Sequence, residues 1–196
     1  MCQLFETIKI INGKPNNLHL HEKRMNISRH SLFNNNDILS LSDTIQVPED
    51  FRSGTVKCRV IYSSSIKSVE YLSYTTANIK TLKKIEAGNL DYSYKYTDRS
   101  CLTSLIDKSL ADDILLVKNG CITDVSFANI VFTDGNLWVT PDTPLLYGTM
   151  REFLILRGVI ESVKIRVEDL SLFTHFRLIN AMLGFEAPLI PLSGIV

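Results

Sequence analysis

The sequence is most informative at first for what it is short of. It has no charge excess: Lys and Arg together number 21, as do Asp and Glu. Phosphate neutralisation needs a basic field, so nucleic acid is not expected as the main partner. The same balance leaves no polybasic membrane patch. No apolar run approaches the roughly 20 residues that span a bilayer. The N-terminus, MCQLFETIKI, carries Glu6 early and has no cleavable signal pattern. There are only four cysteines, Cys2, Cys58, Cys101 and Cys121. They form neither a CxxC pair nor a dense disulfide framework, which makes the reducing cytoplasm the expected location. The histidines are scattered; His19 and His21 lack a Cys or acid at metal spacing, and no metal is expected. Internal repeats, low-complexity segments and long linkers are also missing.

What is present is a 196-residue chain that is 45% hydrophobic, enough for one domain or two small lobes. Leu4 to Ile11 reads as a strand ending at the Asn12-Gly13 turn. Leu18 to Phe33 reads as a helix, with Leu18, Met25, Ile27, Leu32 and Phe33 as its apolar stripe and Lys23, Arg24 and Arg29 off it. The break at Asn34–Asp37 is expected to cap a second short helix through Leu41. Thr55 to Tyr62, Ser68 to Thr75 and Ile79 to Ile85 read as strands, and Ser100 to Leu110 as a helix. A boundary between Thr75 and Asn89 would divide a small α/β lobe, residues 1–80, from a larger β-rich lobe, residues 81–196.

The stretch from Asn119 to Arg151 carries the densest chemistry. Asn119-Gly120 and Asp134-Gly135 are dipeptides of the type I′ hairpin kind. Asp124 and Asn129 lie in the strand-rich run between them. Leu137-Trp138-Val139 follows as a short strand that Thr140-Pro141 breaks. A helix then opens at Gly148 and runs to about Ser162, with a strand at Lys164–Val167. Helix starts present free N–H groups and a positive dipole end, so Gly148, Thr149 and Met150 could cup an anion; they could equally be an ordinary cap. Asp124 could hold a protonated pyridine nitrogen or simply end a strand. Lys95, between Tyr94 and Tyr96, could act as a free amine and form a Schiff base with a carbonyl, though a solvated loop lysine is the commoner case. Arg24 could grip a phosphate or line an exposed helix face. Lys57 and Arg59 share one side of a strand and could hold a substrate carboxylate or face solvent.

Taken in order, these segments resemble the class IV aminotransferases, the fold-type IV pyridoxal-phosphate enzymes. The resemblance runs through Phe5-Glu6-Thr7-Ile8-Lys9, His21-Glu22-Lys23-Arg24 and Tyr94-Lys95-Tyr96-Thr97-Asp98-Arg99. It continues through Ile122-Thr123-Asp124, Ser126 to Phe132, Thr140-Pro141, Leu146 to Arg151 and Leu178 to Met182. It implies an α+β fold like that of D-amino-acid aminotransferase, a small α/β lobe plus a larger lobe with a β pseudo-barrel, with pyridoxal 5′-phosphate between them. It implies that Lys95 forms the Schiff base and moves the Cα proton. Arg24 and the backbone at Gly148, Thr149 and Met150 would hold the phosphate, with Asn180 near it. Asp124 stands where the family usually has glutamate, so the ring contact would be longer or the ring shifted. The resemblance also implies a homodimer acting on a small amino-acid-like substrate. Family members commonly have a β segment before the Phe-Glu-Thr motif, and this sequence begins almost at that motif. Such a difference would open the active site or alter the dimer contact.

Thr7 bears on the reaction. Phe-Glu-Thr is similar to the motif of aminodeoxychorismate lyases, whose threonine there assists proton transfer as pyruvate leaves. That makes a lyase forming p-aminobenzoate for folate synthesis the first expectation, with Lys95 and Thr7 catalytic. An amino-acid transaminase with Lys57 or Arg59 on a carboxylate is the second. A protein that binds the cofactor or another phosphate ligand without efficient turnover is the third.

Overall fold

The computed structural model describes residues 2–196. The chain divides into two compact units. The first comprises the residues up to Thr76 together with Tyr94–Asp98; the second comprises Ala77–Ser93 and Arg99–Val196.

The first unit is a four-stranded antiparallel sheet and a helix. Strand β1 (Leu4–Ile11) pairs with the short β2 (Lys14–Pro15), helix α1 (Leu18–Phe33) follows, then the one-turn α2 (Leu41–Thr44), β3 (Thr55–Tyr62) and β4 (Ile66–Ser73). The sheet order is β2-β1-β3-β4. Alternation decides which face is buried. Leu4, Ile8 and Ile10 from β1 and Val56, Cys58, Val60 and Tyr62 from β3 join Met25 of α1 in one core. Phe5, Thr7 and Lys9, and across from them Ile61, Arg59 and Lys57, therefore lie on the opposite face.

Helix α1 spans the expected residues but not with the expected face. Ile27 is 54% exposed, whereas Arg29 is 1% exposed. The Arg29 guanidinium is held by Asp37 Oδ2, Asp37 O, Ser64 O and Asn26 Oδ1 at 2.8–2.9 Å. An apolar stripe drawn by spacing cannot detect a buried cation when most of its partners, at Asp37 and Ser64, lie beyond the helix. Residues 34–40 are not helical; α2 starts at Leu41, capped by Ser40 Oγ accepting from Asp43 N.

The second unit holds two sheets. Strands β5 (Leu82–Glu86), β6 (Asp113–Lys118) and β7 (Cys121–Val125) form one, and helix α3 (Ser100–Asp107) precedes β6. Strands β8 (Asn129–Thr133), β9 (Trp138–Pro141), β10 (Glu161–Val163), β11 (His175–Ile179) and β12 (Ile190–Pro191) form the other, in the order β10-β9-β8-β11-β12. Helix α4 (Thr149–Leu156) lies between β9 and β10 in sequence.

Several boundaries differ from those expected. Asn119 and Gly120 both have positive φ, as a type I′ turn requires, but at 134–135 only Gly135 does. There Asp134 Oδ1 accepts from Asn136 N and Leu137 N instead. Thr140 and Pro141 continue β9 rather than ending it, because Pro141 needs no donor where it pairs with Val163. Helix α4 stops at Leu156 rather than near Ser162; Gly158, at φ 66°, turns the chain into β10.

Candidate functional site

In the first unit, the buried face of β1 carries one acid, Glu6. His21 and Arg24 lie three apart on α1 and so share a face. His21 Nδ1 is 2.7 Å from Glu6 Oε2. Arg24 donates from Nε to Glu6 Oε1 at 2.9 Å and from Nη2 to Oε2 at 2.5 Å. Burial by itself raises the Glu6 pKa, but the Arg24 charge and the His21 and Arg24 hydrogen bonds outweigh it and hold the group at about 2. Glu6 is therefore an ionised carboxylate with no solvent exposure. Burial lowers the pKa of His21, the Glu6 contact opposes that, and the charges of Arg24 and Lys95 add to it. A neutral imidazole next to a carboxylate keeps its proton on the facing nitrogen, so His21 Nδ1–H donates to Glu6.

Lys95 is sewn to β1 by its own backbone. Phe5 N donates to Lys95 O at 2.9 Å, and Thr97 N donates to Gln3 O at 2.9 Å. Leu4 also bridges to Tyr96. The Lys95 amine lies 4.7 Å from the centroid of the Phe5 ring, and the Arg59 guanidinium 4.8 Å from the same centroid. The expected neighbours Tyr94 and Tyr96 instead pack against the core of this unit, edge to face with each other. Thr7 is directly opposite Arg59 in the ladder, and Lys9 opposite Lys57. Lys95, Phe5, Thr7, Arg59 and Lys57 thus belong to one half-buried neighbourhood.

In the second unit, Asp124 on β7 is 5% exposed. Its Oδ1 accepts from Asn129 Nδ2 at 2.7 Å and its Oδ2 from Leu146 N at 2.9 Å. Burial lifts its pKa to about 6, against those two hydrogen bonds and the Arg151 charge. Asn129 Nδ2 also donates to Leu146 O at 2.9 Å, which ties the loop before α4 to the acid. Gly148 opens α4 in extended geometry. A Cβ on it would run into Asn129 Oδ1, so glycine is required for this close approach. Arg151 is 6% exposed and donates from Nη2 to Pro141 O and Ser162 Oγ, both at 2.8 Å. Asn180 Oδ1 accepts from Met182 N and Leu183 N at 2.9 Å, which holds its own turn closed.

Sequence reasoning singled out Asp124, Gly148, Thr149, Met150 and Asn180 in this unit, and Thr7, Arg24, Lys57, Arg59 and Lys95 in the first. It missed Glu6, the acid that orients Arg24, and Phe5, the ring that Lys95 and Arg59 share. A signal for Glu6 was present: an acid at an inward-facing position of an otherwise apolar strand requires a buried partner.

The sequence profile of amino-transferase class IV matches residues 93–186, which include Lys95, Asp124, Thr149 and Asn180. An uncharacterised protein of Haemophilus influenzae is 36% identical over 187 residues, 94% of this chain and 100% of that one. The crystal structure of a Haemophilus somnus protein described as a candidate 4-amino-4-deoxychorismate lyase superposes with a TM-score of 0.88 at 32% identity, covering 94% of this chain and 98% of that one. This protein belongs to the class IV aminotransferase family. The architecture above is accordingly the α+β class IV fold, and the protein is an enzyme of the aminotransferase or lyase kind. A Mycobacterium tuberculosis structure described as a hypothetical aminotransferase in its PLP-bound form shares the class IV fold at 18% identity, with a TM-score of 0.75 over 96% of this chain and 80% of that one.

Proposed function

We propose that this enzyme binds pyridoxal phosphate and eliminates pyruvate from aminodeoxychorismate, leaving p-aminobenzoate for folate synthesis. The observation that carries the reading is the position of Thr7. Its hydroxyl-bearing side chain lies on the face of β1 where the Phe5 ring meets the Lys95 amine. The likeness to the Haemophilus somnus protein supports the same choice.

The residues fit the cofactor. Asp124 is a buried acid whose pKa is raised by burial, and a cation placed against its carboxylate would offset that cost. A protonated ring nitrogen would supply that cation. Gly148 leaves the start of α4 without a Cβ, and the backbone N–H groups of Thr149 and Met150 belong to its first turn. Arg24 would add its charge to the phosphate, and Asn180 would hold the adjoining turn. Bound pyridoxal phosphate supplies an electron sink for charge developing at the substrate Cα.

The protein's own groups do the rest. Lys95 carries the cofactor and then moves the proton at Cα. A threonine hydroxyl is too weakly acidic and basic to work alone, so Thr7 relays that proton and does not generate it. Arg59 and Lys57 hold substrate carboxylate. The chain is expected to work as a homodimer in the cytoplasm. No helix of the described residues is long and apolar enough to cross a membrane.

Added pyridoxal phosphate should give the purified protein a visible absorption band. Borohydride should bleach it, and Lys95→Ala should not show it. Aminodeoxychorismate should then release pyruvate with no keto acid present. The family's reaction range makes transamination the competing outcome, and turnover that depends on a keto-acid acceptor would establish it instead. Thr7→Val should slow elimination about 100-fold while leaving cofactor uptake intact. Equal loss of both would remove the role of Thr7.

A further inference from the structure

The elements proposed to hold the cofactor phosphate share one face of the five-stranded sheet. Asn129 and Val131 point to the same side of β8, because side chains alternate along a strand. Asn129 abuts Gly148, and Val131 packs in one cluster with Met150 and Leu154 of α4. Ile179 and Arg177 lie in register with Asn129 and Val131, which puts them on that side too. Trp138 joins them through its pairing with Thr133. Arg177 is the odd member of this face. Its guanidinium carbon is 4.8 Å from the centroid of the Trp138 ring and 5.1 Å from that of Phe185. The two rings meet edge to face, 5.2 Å apart. Arg177 makes no ion pair among the described residues, and its buried Nε has no hydrogen-bond acceptor. An arginine placed this way carries a desolvation penalty that an apolar side chain would not. What it adds, beyond its attraction to the rings, is one bond: Nη1 donates to Phe185 O at 2.8 Å.

That bond closes the turn that carries Asn180. Asn180 Oδ1 accepts from Met182 N and Leu183 N, and Gly184 N donates to Asn180 O at 3.1 Å. Gly184, at φ 69°, reverses the chain. Arg177 then fixes the exit of the turn at Phe185 O, and the Phe185 ring packs in the cluster that holds Met150. We propose that Arg177 is a positioning residue for phosphate binding: it ties the Asn180 turn to the cluster beneath the first turn of α4. This rests on the reading of Asn180, Thr149 and Met150 as the phosphate cradle. A planar guanidinium lies against two rings and donates a directed hydrogen bond at once, which the point charge of a lysine does not. Trp138 is the one tryptophan of the chain, so its emission reports on the clamp.

The test titrates pyridoxal phosphate and pyridoxal into the full chain, each followed by the visible band, and inorganic phosphate followed by Trp138 emission. The parent protein should prefer pyridoxal phosphate to pyridoxal, and inorganic phosphate should shift its emission. Arg177→Met should weaken pyridoxal phosphate about tenfold, leave pyridoxal within about twofold and abolish the emission shift. Arg177→Lys should lose affinity in the same direction, and circular dichroism confirms that each variant is folded. Trp138→Leu should also weaken pyridoxal phosphate, and the double variant with Arg177→Met should lose less than the product of the two single losses, because the pair acts as one clamp. Full pyridoxal phosphate affinity in both Arg177 variants, or equal weakening of pyridoxal phosphate and pyridoxal, would overturn the proposal. A parent protein that prefers pyridoxal phosphate while the variants keep that preference leaves the cradle standing and removes only the role of Arg177. A parent protein with no such preference and no emission shift removes the cradle, and the role of Arg177 with it.

Discussion

Glu6 shows how one side chain can set the behaviour of others. It holds two nitrogens of Arg24 and one of His21. Removing one partner of such a buried pair costs about 3–5 kcal/mol, because the other charge is left uncompensated. Glu6→Gln should therefore lower the melting temperature clearly. If Arg24 holds the cofactor phosphate as proposed, Glu6→Gln should also weaken pyridoxal phosphate binding about tenfold more than pyridoxal binding. Equal weakening of both would show that the Glu6–Arg24 pair serves stability alone. Asp124 makes a complementary prediction. With a pKa raised to about 6 by burial, it is protonated below that pH and cannot pair with a cationic ring nitrogen. Cofactor affinity should fall as the pH drops through about 6 in the parent protein. Asp124→Asn, compared under the same buffers, should lose that part of the pH dependence.

At the scale of the element, helix α4 and helix α1 were legible to different degrees. The start of α4 was readable because Gly148 is a local signal. Its end was misplaced because Val159 and Ile160 resume the apolar character beyond Arg157-Gly158, whereas the positive φ of Gly158 ends the helix there. Gly148→Ala should displace the Asn129 amide, loosen its bond to Asp124 and lower cofactor affinity, read by titration of the visible band. Little change would mean that the loop before α4 can shift at low cost. The extent of α1 was readable from its sequence, but its buried face was not: His21, Ser28 and Arg29 are buried on it, so polar residues occupy positions that a stripe reading assigns to solvent. Arg29→Met keeps the length of the side chain and removes every hydrogen bond. It should destabilise the first unit by about 3 kcal/mol, measured by denaturant unfolding.

At the scale of the whole molecule, the same two acids act on stability in opposite directions. Glu6 has a pKa below its unfolded value of 4.5, so its contribution is present above 4.5 and is lost as the pH falls towards about 2. Fully buried, that shift corresponds to about 3 kcal/mol. Asp124 has a pKa above its unfolded 3.8, so its contribution is present below 3.8 and is lost as the pH rises through about 6. Melting temperatures of the cofactor-free protein should therefore rise from pH 2 to about 4 and decline towards 6, and Asp124→Asn should flatten the decline. The α+β class was legible only through the family resemblance, which the order of the site segments along the sequence carries. The return of Tyr94–Asp98 to the first unit was not, because it depends on backbone hydrogen bonds that no side-chain pattern announces. That return has a consequence for synthesis. Phe5 and Lys95 are about 90 residues apart, and a contact of that range closes late and slowly. As the chain leaves the ribosome, the N-terminal sheet must wait for residues 94–98 before its outer seam can form. Lys95 can thus be put in place only after residues 94–98 have been made, so a chain stalled before them lacks this seam.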